Sequence, residues 1–113
     1  MVDISQNYVD GSWIDTETGE TVAVYDPANP SEVVGEYQQS SAADAADAVA
    51  AAAAAKDEWA DTPGPERGTV LREAGKILDD RKEELTDLLI SEEGKARPEA
   101  AGEVQRAIDI FYY

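Results

Sequence analysis

Cysteine and histidine are both absent from these 113 residues. Without a thiol there is no disulfide and no thiolate nucleophile. Without an imidazole there is no Ser–His pair and no His-ligated zinc centre. Basic residues are scarce: nine Lys and Arg stand against 25 Asp and Glu, a formal net charge of −16. A field of that sign repels nucleic acid and anionic membranes, so neither is expected as a partner. No apolar run approaches the roughly 20 residues that cross a bilayer. The opening MVDISQNYVD lacks the basic and apolar regions of a secretory leader, and a cytoplasmic location is expected. No G-x-G-x-x-G occurs. Gly94-Lys95 has no glycine five positions earlier, and Ala96 stands where a P-loop places Ser or Thr on magnesium. The stretch DTETGET begins like a calcium loop but puts Gly19 at the wrong position. Asn29 precedes Pro30, which removes a glycosylation site there. Glu92-Glu93 could do acid–base work in principle, but at a helix end such a pair is expected to be solvated. Taken alone, the chain carries no catalytic constellation.

What is present suffices for one small folded unit. Hydrophobic residues make up 42%, too many for a disordered tail. The acids are spread along the whole chain, lysine is rare and alanine abundant. That pattern suits a solvated surface adapted to brine, where salt screens repulsion. The other reading is an acidic surface for a basic partner.

The first third reads as short strands. In NYVDGSWID, Asp10-Gly11 lies between two apolar-aromatic runs, a hairpin signal. A second turn follows at Gly19. TVAVYDP alternates, with Val22 and Val24 on one face, and ends at Pro27. PANPSE is a loop, and EVVGEYQ is a fourth strand. The period then changes. Ser41 and Asp44 have capping-box spacing at the head of an alanine-rich helix. Ala46, Val49 and Ala53 form a small-residue stripe on it, and Trp59 anchors its end. Pro63 and Pro65 break it. A second helix carries Val70, Leu71, Ala74, Ile77, Leu78, Leu85, Leu88 and Leu89 on one apolar face, with Gly94 as its C-cap. Pro98 opens a third helix. The expected fold is α+β: N-terminal β-hairpins followed by three helices. Trp13, Trp59 and the tyrosines are expected in a core or an interface. Toward the closing AIDIFYY, Val104, Ile108 and Phe111 fall at helical spacing, with no Gly, Pro or polar tail. That ending predicts the front part of a longer enzyme.

The order of these pieces resembles the opening of the aldehyde dehydrogenase superfamily. Its pattern Y-I-N-G-x-W, a short acidic turn, then N-P-A-T-G-E-V-I-G is matched by Tyr8, Gly11 and Trp13, and then by Pro27, Ala28, Val34 and Gly35. Asp26 replaces the usual Asn, and NPSE replaces T-G-E. The alanine-rich helix ending in Trp59 is similar to the family's A-A-x-x-A-F-x-x-W. PERGTVLREAGKILDDRKEELTDLLISEEGK is similar to its P-x-x-R-x-x-I-L … E-x-G-K segment through Arg67, Leu71, Ala74, Leu78, Glu84, Leu85, Leu88, Glu92, Gly94 and Lys95. Each motif is weak alone; their order and spacing from Asn7 to Tyr113 make the match specific.

The resemblance implies that residues 1–113 are an incomplete N-terminal part of the coenzyme-binding domain of an α/β aldehyde dehydrogenase. The parent would oxidise an aldehyde to an acid with NAD or NADP, and the family's nucleophilic Cys and general-base Glu lie outside this stretch. The expected partners are the rest of that chain and further copies of it in a homo-oligomer. The acidic context and the AIDIFYY segment look most like the semialdehyde dehydrogenases of salt-loving archaea, with 2-oxoglutarate semialdehyde as the implied substrate. Several members bind a monovalent cation, potassium or sodium, through carbonyls of the strand before N-P and a carboxylate in the x-E-x-G-K turn. Here those positions are Val24, Tyr25 and Glu92. The alternative is a free-standing acidic α+β interaction module without enzymatic activity. By itself the 113-residue chain is expected to be inactive.

Overall fold

The structure, a computed structural model, describes residues 4–113. Five strands precede four helices: β1 (Ile4–Ser5), β2 (Asn7–Val9), β3 (Ser12–Ile14), β4 (Thr21–Tyr25), β5 (Val33–Gln38), α1 (Ala42–Asp61), α2 (Gly64–Asp80), α3 (Lys82–Glu93) and α4 (Arg97–Tyr112). β2 and β3 form the expected hairpin, with Tyr8 opposite Trp13. Its turn residues Asp10 and Gly11 both have positive φ, 49° and 76°, as a tight hairpin turn needs. β4 and β5 are antiparallel with Val22 opposite Tyr37 and Val24 opposite Gly35, so the two valines do share a face. β1 was not expected. It adds to β5 in parallel, Ile4 to Glu36, giving a three-stranded sheet of order β1-β5-β4. Two residues paired across so long a sequence gap leave no local pattern to read.

The capping box forms as its spacing predicts. Ser41 N–H donates to Asp44 Oδ2 at 2.7 Å, and Asp44 N–H donates to Ser41 Oγ at 3.1 Å. Asp44 also accepts from the Thr16 hydroxyl. Those bonds fix the phase of α1, so Asp44, Ala48 and Ala51, one helical row at i, i+4, i+7, are its half-buried residues. The stripe expected at Ala46, Val49 and Ala53 therefore points outward, and Val49 is 69% exposed. Trp59, expected to anchor the helix end, is 43% exposed.

The second expected helix is broken in two at Arg81, whose backbone (φ −103°, ψ 13°) leaves the helical region. The charges favour the break. Asp79 and Asp80 end α2, where the helix dipole is negative. Glu83 and Glu84 then open a fresh N-terminus, where acids are favourable. α2 and α3 follow one another along an antiparallel α4. Gly75 of α2 meets Phe111 and Tyr112, Lys82 donates to Gln105 at 2.7 Å, and Arg97 pairs with Asp87. Gly94 ends α3 in the left-handed conformation expected of a C-cap, and Pro98 lies in the first turn of α4.

The core is small. Gly75, Thr86, Ala100 and Ile108 are buried along the line where α2 and α3 meet α4. Tyr8 and Trp13, expected in a core or interface, are 61% and 66% exposed and pack edge-to-face on each other at 5.0 Å. The molecule is a slab of 49 × 38 × 20 Å. Its radius of gyration is 17.0 Å, against about 13 Å for a compact domain of this length.

Candidate functional site

The residues singled out by the sequence lie at the end of β4, Val24 and Tyr25, and at the end of α3, Glu92. The β4–β5 register shifts between Val24 and Tyr25: Val24 faces Gly35 and Tyr25 faces Val33, leaving Val34 as an extra residue. A bulge of this kind takes main-chain groups out of the regular ladder. The chain then turns. Asp26 accepts from the Ala28 N–H at 2.7 Å through Oδ1 and from the Asn29 N–H at 3.1 Å through its carbonyl, an Asx turn that carries Pro27 outward. Gly94, with φ 71°, lies against this turn: a Cβ at that position would stand 2.9 Å from Pro27 Cγ. The turn containing Glu92 is thus packed on the turn that follows Tyr25.

The side chains there differ in role. Lys95 is committed, donating to Glu103 at 2.5 Å and lying 2.9 Å from Glu93. Its hydrogen bonds to Glu103 and then Glu93 push its ammonium up to about 12. Glu92 occupies the last turn of α3 and is exposed. It lines an open apolar groove of about 250 Å³ with Leu78, Leu85, Leu88, Leu89, Val104 and Ala107. Val24 is half-buried and Tyr25 exposed. Among the described residues no group of three acids could hold a metal ion. A cation held here would therefore depend on main-chain oxygens as well as Glu92.

A second constellation escaped the sequence reading. The backbone N–H of Thr16 donates to Gln38, its hydroxyl to Asp44, and the Thr18 hydroxyl to the Gln39 carbonyl at 2.9 Å. The Thr16 hydroxyl and the Ser41 bonds hold the Asp44 carboxyl down to about 2. This clasp ties the β3–β4 connection to the head of α1. Only the Ser41–Asp44 half is local enough to show as a spacing.

The groove does not suit a dinucleotide. The groove is walled by leucines with an acid on its rim, and a pyrophosphate needs N–H donors or cations. The elements define an α+β unit of two small sheets and four helices. The model of the aldehyde dehydrogenase family matches residues 13–113, and the chain belongs to that family. It is 68% identical over all 113 residues to an alpha-ketoglutarate semialdehyde dehydrogenase of Haloferax volcanii, of which it spans 23%. It superposes with a TM-score of 0.92 on a 3,6-anhydro-L-galactose dehydrogenase solved in complex with NAP, at 38% identity, covering 98% of this chain and 23% of that one. An NAD-dependent aldehyde dehydrogenase from Sinorhizobium meliloti superposes at 0.93, with 33% identity over all of this chain and 23% of that one. The expected α+β fold at the start of an aldehyde dehydrogenase is thereby borne out, with the second helix divided.

Proposed function

We propose that these 113 residues are the N-terminal part of an NAD- or NADP-dependent aldehyde dehydrogenase that oxidises a semialdehyde, 2-oxoglutarate semialdehyde, to the dicarboxylic acid. The observation that carries this reading is the 68% identity to the Haloferax volcanii enzyme along the entire chain. The stretch supplies packing rather than chemistry. With no cysteine, it has no thiol on which an aldehyde could form a thiohemiacetal, and the cofactor and reacting groups belong to the remaining sequence. The whole enzyme is cytoplasmic, a homo-oligomer, and adapted to high salt, the last supported by the net charge of −16. A potassium or sodium ion held by the carbonyls of Val24 and Tyr25 and the carboxylate of Glu92 braces the β4–α3 corner. A hard cation prefers oxygen ligands, and carbonyls supply them without adding charge.

The test is direct. The reading frame downstream of Tyr113 is sequenced, and the full-length protein is assayed in molar KCl with NAD, NADP and a panel of aldehydes. Preferred turnover of 2-oxoglutarate semialdehyde by the full-length protein, with none by the 113-residue chain, is the expected result. Turnover by the short chain alone, or a full-length protein inactive on every aldehyde, would sink the reading.

A further inference from the structure

Asp10-Gly11 is the one step in the sequence where an Asp or Asn precedes Gly. It makes up the whole of a two-residue turn, since Val9 and Ser12 on either side are paired. Both residues are exposed, and Asp10 is the one non-glycine residue with positive φ among those described. Neither the Asp10 carboxylate nor the Gly11 N–H makes a hydrogen bond among the described residues. A Cβ at Gly11 would meet nothing within 4 Å, so nothing crowds that amide. Acids elsewhere are shielded. Asp26 precedes Pro27, whose nitrogen carries no proton. Asp44 is held by Thr16 and Ser41, and the nitrogen that follows it, that of Ala45, donates to the Ser41 carbonyl at 3.1 Å. The hairpin offers no such restraint. β2 and β3 are three residues each and form a sheet of their own, and an isolated two-stranded hairpin is marginal in water. Its tip therefore opens at little cost.

We propose that Asp10-Gly11 is a modification site, where the backbone rearranges spontaneously to isoaspartate. The Gly11 nitrogen attacks Asp10 Cγ. A C–N bond forms, the carboxyl OH and the amide proton leave as water, and a five-membered succinimide results. Water then adds to one of the two ring carbonyls. Addition at Cγ restores aspartate. Addition at the main-chain carbonyl breaks its bond to the Gly11 nitrogen and leaves the chain running through Cβ and Cγ. Nothing is oxidised or reduced, and the mass is unchanged. Glycine favours the closure because it has no side chain to hinder its nitrogen. The product carries one more methylene in the loop backbone. Hairpin register is fixed by loop length and turn type, so the Val9–Ser12 pair and the 5.0 Å Tyr8–Trp13 contact are expected to be lost. The proposal does not depend on which aldehyde the enzyme oxidises.

The test follows the full-length protein, kept folded in molar KCl at neutral pH and sampled over weeks. The peptide carrying Asp10 is separated by chromatography, weighed, and offered to an endoproteinase that cuts before aspartate but not before isoaspartate. The expected result is a second peak of unchanged mass that grows with time, resists the cut at Asp10, and outpaces any such product at the other aspartates. Asp10→Gly keeps a turn that favours positive φ and should give no second peak. Asp10→Asn keeps the turn and Gly11. It should lose ammonia through the same ring and yield aspartate and isoaspartate together, faster than the parent. No growth in the folded protein would overturn the proposal, whatever the denatured protein does. Equal growth at the other aspartates would overturn the role of the turn, and Asp10→Asn converting to aspartate alone would overturn the ring.

Discussion

Asp44 shows how much one side chain can organise. It closes the capping box with Ser41, accepts from Thr16, and accepts weakly from the Glu17 N–H at 3.5 Å. Its folded-state carboxyl is depressed from 3.8 to about 2. A depressed acid stabilises the fold above its unfolded pKa and loses that contribution as the pH falls. Stability in molar KCl should therefore decline between about pH 4 and pH 2, and Asp44→Asn should flatten that part of the curve while lowering stability at pH 7. An acid limb identical in mutant and parent would show that the clasp is not linked to folding. Glu92 is the other residue on which a prediction turns. If it ligates a monovalent cation, the full-length enzyme should melt higher in potassium or sodium than in a bulky organic cation at equal ionic strength. Glu92→Gln should abolish that difference. No difference among the three salts in the parent would remove the site.

At the scale of elements, the decisive contact is the crossing of α2 and α4. Gly75 is buried, and a Cβ there would come within 3.1 Å of Phe111 Cβ and the Tyr112 ring. The glycine is therefore a spacer: it lets the aromatic end of α4 lie down on α2. Gly75→Leu should cost about 1–3 kcal/mol through overpacking, read as a lower denaturant midpoint in molar salt. Gly68→Leu on the same helix, where nothing lies within 4 Å, should cost nothing measurable. Equal effects would mean that α4 docks elsewhere. The same crossing accounts for the aromatic AIDIFYY segment, since Phe111 and Tyr112 are contact residues of the helical layer.

At the scale of the whole molecule, charge and shape act together. All nine basic residues lie from Lys56 onward, so the strand region and most of α1 carry acids alone. Repulsion across a slab 20 Å thick, with few buried side chains, opposes compaction wherever salt does not screen it. In dilute buffer the 113-residue chain should scatter as an expanded or associating species. In molar KCl its radius of gyration should contract toward the 17.0 Å of the fold. Small-angle scattering across a salt series checks this, and a salt-independent radius would show that the helical layer outweighs the repulsion unaided.

Local chemistry was enough for much of this protein. The Asp10-Gly11 hairpin, the Ser41–Asp44 cap, the Gly94 stop and the Pro98 start each depend on residues a few positions apart, so their spacing is their geometry. The α+β order and the family motifs are legible for the same reason. Tertiary structure decided the rest. It paired β1 with β5, set the phase of α1 through a bond from Thr16 across 28 residues, and laid α2 and α3 end to end along α4, with their break at Arg81. It also brought Pro27 against Gly94, joining the turn after β4 to the end of α3. None of these follows from periodicity, because each depends on which distant groups meet. The hydrophobic pattern could mark Leu85 and Leu88 as apolar, but only the packed helices show that they face an open groove instead of a closed core.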